Sequence, residues 1–96
     1  MKEFMSEVSR RAGVERMILF GSRASGKARA DSDFDLLIVS SKYRNMNVFK
    51  RGTDLYHYWN LRYPVDFLCY SPEEFKKLKN DPTSIVYEVV RTGIEV

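Results

Sequence analysis

Residues 21–39 read GSRASGKARADSDFDLLIV, a polar and basic stretch that runs into an apolar strand. Asp33 and Asp35 are two residues apart, so in a strand both side chains point to the same face, with Cα atoms about 6.6 Å apart. Two carboxylates at that spacing repel each other by about 2–3 kcal/mol at an effective dielectric constant near 20. A divalent cation offsets this repulsion, and Mg²⁺ binds in proteins through one or two carboxylates together with phosphate oxygens. The stretch therefore predicts a pair of metal-binding carboxylates where the strand begins.

A third acidic residue, Asp66, lies between Val65 and Phe67 in a second apolar segment. A charge among apolar neighbours is costly unless it is paired, either with a cation or in a salt bridge with an arginine. If this segment forms a strand beside residues 34–39, Asp66 completes a cluster of three carboxylates. Such a cluster suits phosphoryl chemistry with two metal ions.

The turn before the carboxylates has the composition of a phosphate site. Gly21 allows the backbone to approach a phosphate closely, and Ser22 presents a hydroxyl and an N–H group at the start of a short helix. Arg23, Lys27 and Arg29 could neutralise a triphosphate, although a solvated basic loop has the same composition. We predict that Gly21, Ser22, Arg23 and Lys27 bind the nucleotide.

This combination resembles the nucleotidyltransferase superfamily that includes DNA polymerase β, and most of all its minimal, MNT-type members. The resemblance is carried by Gly21-Ser22, by Asp33-Phe34-Asp35 and by Val65-Asp66-Phe67. It implies transfer of a nucleoside monophosphate from an NTP, with ATP expected first, to a hydroxyl acceptor. It also implies one or two Mg²⁺ ions, for which Mn²⁺ can substitute. By this resemblance Asp33 and Asp35 are catalytic metal ligands, and Asp66 is the third catalytic and metal-binding carboxylate, which activates the acceptor.

The acceptor and the partner are less well defined by the sequence. Larger superfamily members carry a helical domain for base and acceptor, and this chain has 96 residues. The face with the carboxylates also carries four apolar or aromatic side chains, which predicts an exposed patch and hence a partner: Leu37, Val39, Leu68 and Tyr70. The resemblance implies a HEPN-type partner protein in a toxin–antitoxin system, and a homo-oligomer is the other interpretation. A binding module that neutralises its partner without catalysis, or a transferase for an aminoglycoside-like small molecule, stays open.

Composition and charge limit the number of domains, the cell compartment and the kind of partner. The chain is 44% hydrophobic and 30% charged, typical of one globular domain, which we expect to span residues 1–96. One cysteine, a first segment with acidic residues and an apolar run of four residues, Met17 to Phe20, predict a cytoplasmic protein that does not enter a membrane. The net charge of +3 is scattered along the chain, so direct binding of nucleic acid is not expected.

Hydrophobic periodicity predicts alternating helices and strands, that is, a small sheet with helices packed on it. The resemblance implies that this is an α/β (α+β) nucleotidyltransferase-type fold, with a small mixed sheet and helices mainly on one face. The expected strands are 14–20, 34–39, 65–70 and a short edge strand at 94–96. Helices are expected over 2–12 and 45–60, from the cap at Ser71, and from Asp81 to Gly93. In the helix over 45–60, Tyr56 and Trp59 are expected to pack in the core or at an interface.

Overall fold

The computed structural model describes residues 2–11, 13–26, 33–59 and 63–96. Four helices and four strands lie in this part of the chain: α1 (Lys2–Arg11), β1 (Arg16–Phe20), α2 (Ser22–Ser25), β2 (Phe34–Val39), β3 (Val65–Tyr70), α3 (Pro72–Leu78), α4 (Ile85–Thr92) and β4 (Ile94–Glu95). Three 3₁₀ turns, Ser41–Tyr43, Val48–Lys50 and Thr53–Tyr58, connect β2 to β3. None of the described helices is both long and apolar enough to span a bilayer.

The strands form one mixed sheet in the order β3-β2-β1-β4. Strand β2 is antiparallel to β1, with Phe20 opposite Asp35, and parallel to β3, with Asp35 opposite Asp66. Strand β4 pairs with β1 through Ile94. The predicted mixed α/β architecture is confirmed, and the register aligns three strands at the end of the sheet where β1 finishes and β2 and β3 begin.

Helices cover both faces of this sheet, which corrects the expectation that they lie mainly on one. On one face, α1 and the last 3₁₀ turn bury Leu36 and Ile38. On the other face, Phe75 of α3 and two valines of α4 pack on Leu37 and Val39, which are 0% and 3% exposed. Two residues of the apolar patch predicted beside the carboxylates, Leu37 and Val39, are therefore covered by the chain itself, whereas Leu68 and Tyr70 are only partly buried against the same cluster.

The helix predicted over 45–60 is replaced by the second and third 3₁₀ turns. Gly52 has a φ of 80°, the left-handed conformation, and separates the two turns. Arg51 is fixed by polar groups on three sides, because its guanidinium donates to the carbonyls of Met46 and Cys69 and to the carboxylate of Glu74. These bonds hold the segment along the outer edge of β3, a path that a straight helix could not follow.

The two C-terminal helices begin with side-chain caps. Ser71 and Glu74 form the capping box predicted for α3. Helix α4 begins at Ile85 after the cap Ser84, and not at Asp81, because the Asp81 carboxylate accepts bonds from the N–H and hydroxyl of Thr83 and holds a turn there. Gly93 ends α4 as predicted.

Candidate active site

Three carboxylates lie at one end and on one face of the sheet. Asp35 and Asp66 are direct partners across the parallel strands β2 and β3. Asp33 is two residues before Asp35, so strand alternation puts it on the same side. The structure places the three acidic residues that the sequence singled out at the same end of the sheet, although Asp66 is far from the other two along the chain.

The charges of these carboxylates act on one another. Asp35 is half-buried, and its pKa is raised above the ordinary value first by burial, then by the negative charge of Asp66, and then by that of Asp33. Asp33 and Asp66 are exposed to solvent. A group of like charges that disfavours its own ionisation is an electrostatic environment that a bound cation would relieve.

The donor set fits a hard divalent cation, since carboxylate oxygens are the ligands that Mg²⁺ prefers. Asp33, Asp35 and Asp66 are the residues that would hold it. Within the described residues, the side chains of these acids are not already gathered around a single coordination point. The fit therefore rests on the type of the ligands and on the strand register.

The turn at Gly21 packs directly on Asp35. Gly21 has φ 76° and ψ −153°, and a Cβ atom built there would lie 2.4 Å from Asp35 Oδ2. Only glycine lets the backbone come this close to the carboxylate. Ser22 follows as the first residue of α2, so the predicted phosphate-binding turn lies beside the carboxylates, across the β1–β2 pair.

Arg23 is held by aromatic rings at this end of the sheet. Its Cζ atom lies 4.1 Å from the ring centroid of Phe34 and 4.6 Å from that of Tyr63. Phe34 adjoins both Asp33 and Asp35, and Tyr63 comes shortly before β3. The stacking connects the first turn of α2 to β2 and to the residues just before β3. Lys27, the other basic residue predicted to bind nucleotide, lies outside the described residues, as does Arg29.

Tyr56 is a neighbour of the carboxylates that the sequence did not indicate. Its hydroxyl donates to the carbonyl of Val65 at 3.4 Å, and Val65 directly precedes Asp66. The pKa of Tyr56 is raised by burial and next by the charge of Asp66. Helical spacing predicted that Tyr56 would face the core or an interface. Its position at the edge of β3 depends on the 3₁₀ path, which helical spacing does not reveal.

Comparison with known proteins identifies the fold and its general activity. The family model of the nucleotidyltransferase domain matches residues 1–92. The whole chain is similar to a Methanocaldococcus jannaschii protein named "putative protein adenylyltransferase", with 31% identity over 98 residues that cover 94% of that protein. It is also similar to the crystal structure of a "putative nucleotidyltransferase" from Sulfolobus solfataricus, with a TM-score of 0.62 and 34% identity over 82% of this chain and 70% of that one. The chain thus belongs to the nucleotidyltransferase domain family and is a nucleotidyl-transferring enzyme.

Proposed function

We propose that this enzyme transfers AMP from Mg²⁺–ATP to a hydroxyl group of a protein. The observation that carries the proposal is the row across the sheet, in which the Gly21 turn packs on Asp35 and Asp35 pairs with Asp66. The name of the M. jannaschii relative supports adenylyl as the transferred group and protein as the acceptor.

Each part of the row has a separate task in this proposal. The backbone at Gly21-Ser22 binds the phosphates that leave, with Arg23 and Lys27 as further nucleotide-binding groups. Asp33 and Asp35 hold the cation, and the Asp66 carboxylate, which also lies within the set of metal ligands, accepts the proton of the acceptor hydroxyl. One or two bound Mg²⁺ ions, or Mn²⁺ in their place, would neutralise the triphosphate and lower the pKa of the attacking hydroxyl.

The strand order also supports a direction for the proposed reaction. In phosphoryl transfer the attacking and leaving oxygens lie roughly in line with the phosphorus atom. Neighbouring strands are about 4.8 Å apart, so the end of β1 and Asp66 on β3 are separated by roughly 10 Å, with Asp35 between them. Pyrophosphate then leaves on the β1 side, and the acceptor hydroxyl enters over β3.

Label transfer tests the proposal. The protein is incubated with Mg²⁺, a lysate of its source cells and ATP labelled on the α- or the γ-phosphate. We expect a protein band labelled from the α-phosphate only, lost in Asp35→Asn and kept in the control Glu88→Gln, which changes an exposed acidic residue on α4. Full transfer by Asp35→Asn, or no labelled product and no pyrophosphate with any of the four NTPs, would contradict it. A labelled small molecule without a labelled protein would instead support the aminoglycoside-like alternative.

We further propose a HEPN-type protein, in a toxin–antitoxin system, as the acceptor and partner. Support comes from apolar side chains left open in the second 3₁₀ turn, where Phe49 is 89% and Val48 is 63% exposed. This surface replaces the sheet face, which α3 and α4 cover. If partner binding alone is the function, the double variant Asp33→Ala with Asp35→Ala will still neutralise the partner. If transfer is required, neutralisation will be lost while binding is kept.

A further inference from the structure

The outer edge of β3 has one residue whose peptide groups are open. Strand β3 is the last strand of the sheet, and every second peptide group along it points away from β2. The carbonyls of Val65 and Cys69 point outward, since the side chains of Tyr56 and Arg51 donate to them. Phe67 lies midway between these two residues and so points its N–H and C=O the same way. Within the part of the chain that the structure describes, no group forms a hydrogen bond with either of them.

An extended segment of another protein fits this edge. Such segments bind by adding a further strand to an open edge. One residue of the segment, paired with Phe67, completes both open groups at once. Its two neighbours then project on the face opposite the Phe67 side chain, which is the face of the carboxylates. One neighbour lies beside Asp66 and the other beside Leu68, and their α-carbons are about 6.6 Å apart.

A pocket lies at the position of the second neighbour. Its volume is about 240 Å³, and its lining includes Leu68, Leu78 of α3, Val48, Arg51 and Glu74. Cavities of about 150 Å³ already accept a benzene ring in general, so an aromatic or large aliphatic side chain fits here. The Arg51 guanidinium is neutralised by Glu74 at 2.6 Å and donates also to two carbonyls. The pocket therefore suits an apolar side chain and not an anion.

The pocket is continuous with the surface proposed for the partner. Val48 lines the pocket and is also one of the two open apolar residues of the second 3₁₀ turn, with Phe49 beside it. At its other end the pocket includes Leu68, which is two residues after Asp66 on the same face of the sheet. A protein seated on Val48 and Phe49 thus reaches the third carboxylate through this pocket.

We propose that the enzyme recognises its protein acceptor as an extended segment at the β3 edge, with a large apolar side chain in this pocket two residues from the hydroxyl that receives AMP. The inference rests on the proposed function and names the segment that is recognised. Pairing with Phe67 sets the hydroxyl beside Asp66. The hydroxyl oxygen bonds to the α-phosphorus, and the bond from that phosphorus to the bridging oxygen breaks. Pyrophosphate leaves with the electron pair, and the hydroxyl proton passes to the Asp66 carboxylate.

A peptide scan tests the proposal. The purified chain is incubated with Mg²⁺, α-labelled ATP and nine-residue peptides of glutamine and alanine, each with serine, threonine or tyrosine at its centre. One phenylalanine is moved through the other eight positions, and kcat/KM is measured for each peptide. We expect kcat/KM to be at least tenfold higher with phenylalanine two positions from the hydroxyl residue than at any other spacing, because only this spacing places the ring at Leu68.

Two variants of the pocket test where the preference arises. Val48→Asp places a charge at the mouth of the pocket, and Leu78→Trp fills it. In both, the ratio of kcat/KM between the best peptide and the peptide without phenylalanine should fall to nearly one. The ratio is taken within one preparation, so a loss of folded enzyme does not alter it. Val90→Asp changes an exposed valine on α4 outside the pocket and is the matched control, which should keep the preference.

Labelling that does not depend on the position of phenylalanine, a preference at a different spacing, or a preference that both pocket variants retain would overturn the proposal. So would an enzyme that labels a lysate protein but none of the peptides, because the recognised feature is then not a short segment. In all of these cases the proposed function stands. An enzyme that labels neither peptides nor protein and releases no pyrophosphate disproves the proposed function itself.

Discussion

Gly21 must be a glycine for two reasons: its backbone has a positive φ, and there is no room for a side chain. Its φ of 76° with ψ −153° belongs to a region that only glycine occupies easily, and its α-carbon faces Asp35 Oδ2. In Gly21→Ala the methyl group would displace the Asp35 carboxylate. We expect a loss of about 1–3 kcal/mol in the free energy of unfolding from the backbone alone, and a fall in transfer rate of at least tenfold. Urea unfolding and the label-transfer assay measure the two effects.

Gly26 supplies the control for this prediction. It ends α2 with a φ of 77°, and a Cβ built there meets no atom within 4 Å. Gly26→Ala should therefore lose about 1–2 kcal/mol of stability from the left-handed backbone while it keeps most of its activity. If both variants lose activity to the same extent, strain in the turn, and not the contact with Asp35, explains the loss.

Arg23 illustrates which contacts of a single residue the sequence can predict and which it cannot. Its charge and its place after Ser22 predicted contact with the nucleotide, and that role stays a prediction. The rings of Phe34 and Tyr63 that hold its guanidinium are far away in sequence, and they meet only because β2 and β3 are parallel neighbours. No local pattern contains that information, since it depends on which strands pair.

At the scale of elements, α3 is tied to the preceding segment by one carboxylate. Glu74 accepts from the N–H of Ser71 at 2.8 Å, which closes the capping box, and from Arg51 at 2.6 Å. The Arg51 side chain is only 7% exposed, whereas that of Glu74 is 40% exposed. The bond to Arg51, then the bonds to Ser71, lower the pKa of Glu74 below its ordinary value of 4.5 against the effect of burial.

This shift predicts how α3 responds to acid. Because the folded-state pKa of Glu74 is lowered, its contribution to stability is fully present above the ordinary, unfolded-state pKa and is lost as the pH falls through the folded-state pKa. Glu74→Gln should therefore be less stable than the wild type at pH 7, and the difference should shrink in acid. Urea unfolding at pH 7, 5, 4 and 3 measures it.

Glu73→Gln is the companion variant. Glu73 pairs with Arg44 in full contact with water, so its effect at pH 7 should be smaller and should decline in 0.5 M salt. A stability difference for Glu74→Gln that is the same at pH 3 and pH 7 would show that the ion pair with Arg51 and the charged cap contribute nothing measurable.

The elements themselves were predictable to different degrees. Strands β2 and β3 have the predicted bounds, because each holds five apolar residues and a single aspartate, and is followed by a serine that ends the run. The prediction of a helix over 45–60 was wrong. Its aromatic residues have helical spacing, but Gly52 and the hydrogen bonds of Arg51 impose 3₁₀ turns. Side-chain spacing reports which residues share a face, but not which backbone conformation brings them there.

For the whole molecule, the connections decide what covers the sheet. The connection from β2 to β3 runs over one face with the 3₁₀ turns, and the connection from β3 to β4 returns over the other face with α3 and α4. Alternation along β2 correctly put Leu37 and Val39 on the side of the carboxylates. It could not show that Phe75, Val86 and Val89 would cover them, since that depends on the position of β4 at the far edge of the sheet. The sequence could predict that Asp35 and Asp66 lie side by side only on the condition that their strands pair.

The electrostatics of that row predict opposite effects of one substitution on stability and on activity. The raised pKa of Asp35 means that its ionised form disfavours the fold, so this cost is fully present at neutral pH, declines as the pH falls through the folded-state pKa and is absent below the unfolded-state pKa. In EDTA at pH 7, Asp35→Asn should therefore unfold at a higher temperature than the wild type, while transfer falls by roughly a hundredfold or more. Added Mg²⁺ should reverse the order, because a bound ion at ten times its Kd stabilises the wild type by about 1.4 kcal/mol and should do little for the variant. Thermal unfolding with and without Mg²⁺, beside the control Glu88→Gln, measures the response. A wild type whose unfolding temperature does not respond to Mg²⁺, or an Asp35→Asn variant that responds equally, would show that Asp35 does not hold the cation.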